Sequence, residues 1–224
     1  MGSFVLVDND VVLKCSCYRL VDETVSFLSS GGRVAVLGSA RFVLEKYVGK
    51  TNSIVDKEAV IGELGRFFAQ TSLLEPNDAE LSLAAELEGE AQLRSVALDI
   101  GESLLVAILL LRSAPLLVTG DKRAIAAVEA LVAALAQLEA VAGRLACIEQ
   151  LVLGLVQRLG TGAVRKHICG EPGADKALAL CFSCSRACVD GNNVIEGLSS
   201  YINSLRTTAK IVLLTSHDLS SVIA

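Results

Sequence analysis

The chain has 224 residues with a formal charge of −5, and 52% of them are hydrophobic and 20% charged. That length holds one large domain, or one domain with an appended subdomain. The acidic balance excludes a broad basic surface of the kind that coats nucleic acid, although a local basic path stays open.

The first element is "FVLVDND", residues 4–10, a short apolar run that ends on Asp8 and Asp10. Such a run predicts a central strand of a parallel sheet, buried on both faces. A helix is expected over about residues 19–30, stopped by Gly31 and Gly32. "RVAVLG" predicts a second strand, and "SARFVLEKYVGK" a short helix capped by Ser39. Residues 52–93 read as helices broken at Pro76, Asn77 and Asp78. "LDIGESLLVAILLLRS" predicts a buried helix beginning near Asp99, and "APLLVTGDK" a buried strand ending at Asp121. An Ala-rich amphipathic helix, "RAIAAVEALVAALAQLEAVAG", and a strand, "RLACIEQ", follow. The alternation predicts an α/β fold over residues 1–150, a parallel sheet flanked by helices. Residues 151–224 are expected to form a mainly helical C-terminal extension packed on it, with one more apolar run in "KIVLLTSHD".

No targeting segment is expected, because the N-terminus enters a strand at once without a basic region or a long apolar region. "SLLVAILLLRSAPLLV" is cut by Arg112 and Pro115, short of the ~20 clean residues of a membrane span. No membrane partner is expected. The seven cysteines then read as reduced thiols of a cytoplasmic protein. Cys181, Cys184 and Cys188 are spaced i, i+3, i+7, which predicts one helix face packed into the core. A zinc site completed by His167 and Cys169 is the lesser reading, and His217 is a bystander.

The acids carry the chemistry. Two parallel strands ending at Asp8 and Asp121 would bring both carboxylates to one sheet edge. Asp99 and Glu102 share one face at a helix start. Grouped acids raise one another's pKa unless a cation intervenes. Asp8, Asp10, Asp99, Glu102 and Asp121 are therefore candidate ligands of Mg²⁺ or Mn²⁺, since hard oxygen donors without His or Cys suit those ions.

"VLVDNDVVL", "ARFVLEKYV", "LDIGESLLVAILL" and "PLLVTGDKRAI" resemble, in order, the four acidic motifs of the PIN-domain ribonucleases, over roughly residues 3–150. The resemblance implies a PIN-like fold and Mg²⁺- or Mn²⁺-dependent hydrolysis of single-stranded RNA. It places the catalytic roles on Asp8, Glu45, Glu102 and Asp121, with Asp10 and Asp99 as auxiliaries. Glu58 and Glu63 are rivals to Glu45. Lys122 and Arg123 would contact the RNA backbone or simply begin a solvated helix. A homo-oligomer or a protein partner stays open.

"VLVDNDVVL" is also similar to the haloacid-dehalogenase-like phosphatases. That likeness implies a nucleophilic Asp8, an acid/base Asp10, a phosphate-binding Thr119, and Lys166 and Asp175 further on. Glu171 and Pro172 depart from its usual Gly-Asp pair. A third reading is a PIN-like binding or scaffold protein without turnover. If Asp121 belongs to a repulsive cluster, Asp121→Asn should leave the metal-free chain as stable as the parent or more so.

Overall fold

In the computed structural model, which describes residues 4–223, five short strands form one sheet. They are β1 (Phe4–Val7), β2 (Arg33–Leu37), β3 (Ser72–Leu74), β4 (Leu116–Thr119) and β5 (Leu145–Cys147). All neighbours are parallel, in the order β3-β2-β1-β4-β5. The central register sets Leu6 between Ala35 and Leu117. Val5, Leu6 and Val7 are buried, as a strand covered on both faces requires. The order reverses at β1, so β1 and β4 flank the switch point where open α/β sheets leave a crevice.

The connecting helices are α1 (Asn9–Cys17), α2 (Val21–Leu28), α3 (Ala40–Lys50), α4 (Lys57–Gln70), α5 (Asp78–Leu93), α6 (Ile100–Leu111) and α7 (Lys122–Val132). The chain continues through α8 (Ile148–Leu159), α9 (Thr161–Gly170), α10 (Lys176–Cys181), α11 (Gly191–Thr208) and α12 (Ser220–Ile223). The α/β expectation agrees with this layout, and the differences are local. α1 starts where only a strand exit was expected, because Asp8 itself accepts the Asn9 N–H as its cap. β3 is a three-residue edge strand, too short to show a period. The Ala-rich stretch breaks after Val132 and resumes as a 3-10 turn over Ala136–Val141. Ser39 stands at the start of α3 without a side-chain capping bond.

The boundary expected at residue 150 falls inside α8, which packs on β4, β5 and α2. α9 and α11 pack in turn on α8. Residues 211–214 run beside β5: Leu145 N–H donates to Val212 O at 3.0 Å, and Leu214 N–H to Leu145 O at 2.7 Å. The outer edge of β5 is thereby occupied. Among the described residues no helix is long and apolar enough to cross a membrane.

The cysteines correct the expectation twice. Cys169 and Cys184 are joined in a disulfide, so not all seven are thiols. α10 ends at Cys181, and Ser183 takes a left-handed φ of 47°, so Cys181, Cys184 and Cys188 do not share a helix face. Cys181 is buried and Cys188 exposed, which leaves core packing as the role of Cys181 alone in that trio's free thiols. Closing 15 residues of separation is worth on the order of 3 kcal/mol in the unfolded state. Cys169→Ser is therefore expected to lower stability by about 2–3 kcal/mol in denaturant titrations of oxidised protein. Equal midpoints with and without reductant in the parent would show that the bond contributes nothing.

Candidate active site

Three helices begin at the carboxyl edge of the sheet with an aspartate as N-cap. Asp8 opens α1, Asp99 opens α6 and Asp121 opens α7. The cap chemistry is ordinary: a carboxylate oxygen accepts N–H groups that the first turn cannot satisfy. Its placement is not ordinary, because all three caps line one cleft of about 560 Å³, together with Asp10, Glu102 and Lys14. The first turns of three helices face this cleft, and their positive ends ease the presence of so many acids.

Asp8 is held from both sides. Thr119 Oγ1 donates to its Oδ2 at 3.0 Å, and Asn9 N–H donates to Oδ1 at 2.7 Å. Its backbone N–H donates to Val118 O at 3.0 Å, which ties the end of β1 to β4. Burial, then the charges of Asp10 and Asp99, push the Asp8 carboxyl up to about 6 in spite of those hydrogen bonds. Asp99 and Glu102 form a capping box: Glu102 N–H donates to Asp99 Oδ1 and Asp99 N–H to Glu102 Oε2, both at 2.8 Å. Burial, followed by the charges of Asp99, Asp121 and Asp8, pushes Glu102 up to about 7. These two are the strained acids of the cleft.

Asp121 is different. Arg123 Nη2 donates to its Oδ2 at 2.7 Å and Arg123 N–H to its Oδ1 at 2.7 Å. The Arg123 guanidinium holds Asp121 below the usual carboxylate range. Asp10 pairs with Lys14 at 2.5 Å, and Lys14 reaches on to Asp175 at 2.7 Å. Burial works against the Lys14 ammonium, but Asp10 and Asp175 outweigh it and raise its pKa. Gly120 makes room for this arrangement, since a Cβ there would meet Asp10 Oδ2 at 1.8 Å.

No family model, curated protein or solved structure matches the chain.

Of the expected residues, Asp8, Asp10, Asp99, Glu102 and Asp121 line the cleft together. Glu45 does not line it; this residue pairs with Arg41 one turn back on α3, at 2.9 Å. Glu63 lies near Arg66 on α4, and Glu58 is exposed in the first turn of that helix. Lys122 turns away and ion-pairs with the buried Glu149, its ammonium 4.5 Å from the Tyr201 ring centre. Arg123 remains exposed at the rim but is engaged by Asp121. Lys166 lines a separate pocket with Tyr18 and His167. His217 pairs with Asn203 on α11. Lys14 was missed, and its signal was the i, i+4 spacing from Asp10, which needs α1 to be recognised.

The donor set suits a hard divalent cation, being oxygen-only, and burial with like charge pushes its two most strained members toward neutrality. Among the described residues, no three Asp, Glu, His or Cys side chains are already gathered around one point. Each acid is held instead by a protein partner: Asp8 by Thr119, Asp99 by the Glu102 N–H, Glu102 by the Asp99 N–H, Asp121 by Arg123 and Asp10 by Lys14.

Proposed function

We propose that the chain is a PIN-like, Mg²⁺- or Mn²⁺-dependent ribonuclease acting on single-stranded RNA at this acidic cleft. The observation that carries the reading is the convergence of Asp8, Asp99, Glu102 and Asp121, from three helix starts, on one cleft at the sheet's switch point. The pKa values of Asp8 and Glu102 add to it, because strained carboxyls cluster at functional sites. Asp8, Glu102 and Asp121 would hold the ion, with Asp10 and Asp99 beside them. When bound, such an ion supplies an activated water and relief of charge on the phosphodiester.

The chain's own groups do the positioning. Thr119 bridges the two strand ends, donating to Asp8 while accepting the Asp121 N–H at 3.1 Å. Lys14 balances Asp10 and fixes it against Gly120. Arg123 stays exposed at the rim while paired with Asp121, so its guanidinium holds that carboxylate in place. A cytoplasmic location accompanies this reading, and the Cys169–Cys184 bond weighs against it.

The test is direct. A labelled oligoribonucleotide should be cut with MnCl₂ and left whole in EDTA, and calorimetric titration with MnCl₂ should show binding that Asp8→Asn loses. Cleavage that persists in EDTA, or equal Mn²⁺ binding by both proteins, would remove the metal site. One observation favours the phosphatase reading: Thr119 touches Asp8, and Asp175 reaches the cleft edge through Lys14. Only that reading predicts a phosphoryl group trapped on Asp8, which mass spectrometry after incubation with a phosphomonoester would detect.

A further inference from the structure

We infer that the outer face of α3 is a stacking platform for single-stranded RNA, leading the strand into the acidic cleft. The inference deepens the ribonuclease reading and takes from it the identity of the cleft. Phe42 is 70% exposed and Tyr47 48% exposed, which is unusual for aromatic side chains in a chain with few of them. Lys46 lies over the Phe42 ring at 5.6 Å, and Val43, Lys46, Tyr47 and Lys50 line a shallow groove of about 380 Å³. Val43 also lines the acidic cleft, so the two surfaces are continuous.

The spacing suits a strand. From Val43 to Lys50 a helix advances about 10 Å, the length of roughly three stacked bases. Charge points the same way. Arg41 is engaged by Glu45, whereas Lys46 and Lys50 have no acidic ion-pair partner among the described residues. Two lysines interleaved with two aromatic rings match the requirements of single-stranded nucleic acid: cations for the backbone and flat faces for the bases. Duplex RNA keeps its bases stacked inward and would find no use for the rings. A polypeptide partner would use the apolar rings equally well, but it gives no reason for the lysines to continue the path from an acid cleft suited to a phosphate-bound cation.

The experiment measures binding apart from cleavage. Fluorescence anisotropy of a labelled single-stranded oligoribonucleotide in EDTA compares the parent with Phe42→Ala/Tyr47→Ala and with Lys46→Ala/Lys50→Ala. Each ring is expected to contribute about tenfold in affinity. The lysine pair is expected to lower the slope of log affinity against log salt by about 1.4. Thermal midpoints should match the parent's, because these side chains are largely exposed. Unchanged affinity in both variants overturns the platform, whether or not the parent cleaves RNA with Mn²⁺. Affinity lost in the variants while the parent never cleaves RNA upholds the platform and removes the nuclease reading. If the ring variant instead turns a sedimenting dimer into a monomer and leaves RNA binding intact, the face belongs to a second copy and the proposal falls.

Discussion

Asp8→Asn is expected to raise the thermal midpoint of the metal-free chain at pH 7.5 while lowering Mn²⁺-dependent RNA cleavage by at least about a hundredfold. The stability half follows from the displaced carboxyl. Asp8 titrates near 6 in the folded chain, against an ordinary 3.8, so the folded state holds that proton more tightly than the unfolded state does. The benefit of the neutral form is complete below 3.8 and is lost as pH rises through about 6. By neutral pH the ionised group carries on the order of 3 kcal/mol of strain. Asn removes the charge but offers one acceptor where Asp8 offers two, to Asn9 N–H and Thr119 Oγ1, which returns about 1 kcal/mol. A net gain of about 1–2 kcal/mol corresponds to roughly 2–8 °C in a chain of this size. At pH 4 the gain should vanish.

The activity half follows from the proposed ligand role. Outer partners of a metal site already cost 10–100-fold when removed, and a direct ligand should cost at least about as much as the upper end of that range. A midpoint lowered at both pH values would make Asp8 a structural cap and nothing more. Cleavage at the parent's rate would take it out of the site. The same substitution at Asp121 no longer carries the expectation drawn from like-charge repulsion. Arg123 compensates that carboxylate, so Asp121→Asn breaks a favourable pair and should not stabilise the chain.

The acidic cleft was legible in the sequence because strand ends and helix caps are local signals. "LVD" and "VTGD" mark where parallel strands stop, and "DIGE" marks where a helix starts. Parallel pairing then leaves these ends on one edge. Glu45 was placed by motif order alone, and nothing local says which way a residue on α3 turns; its Arg41 neighbour decided that. The Lys14–Asp175 contact was invisible because it joins residues 161 positions apart through α10, an element of six residues. β3 was missed for want of length, and the disulfide because spacing alone does not choose cysteine partners. α1 is masked for another reason: β1 ends at Val7 and α1 begins at Asn9, so Asp8 alone joins them and no turn residues mark the change of period.

Arg112→Ala is expected to lower stability by about 2–4 kcal/mol, the largest loss foreseen for a residue outside the cleft. Glu80 has no exposed surface, and Arg112, whose side chain is 27% exposed, closes over it. Arg112 Nε donates to Glu80 Oε1 at 2.6 Å and Nη2 to Oε2 at 2.8 Å, while Asn77 N–H donates to Oε2 at 2.9 Å. Breaking a buried pair costs about 3–5 kcal/mol, because one charge stays behind in a poor solvent. Water reaching the vacated side of Arg112 reduces that figure here. Arg112 also donates to Glu75 O at 2.8 Å and caps α6, the helix whose other end presents Asp99 and Glu102 to the cleft. Mn²⁺ binding at 20 °C should therefore persist in the variant while its midpoint falls by on the order of 10 °C. The pH dependence identifies the cause. Arg112 holds the Glu80 pKa below its ordinary 4.5, so the pair's contribution is full above 4.5 and is lost as pH falls through the lower folded value. The gap between parent and variant should narrow on acidification over that range. Arg112→Met combined with Glu80→Gln removes both charges and keeps an acceptor for Asn77 N–H, so it should recover most of the loss. A double variant as unstable as Arg112→Ala would locate the effect in the carbonyl of Glu75, and the charge pair would then count for little.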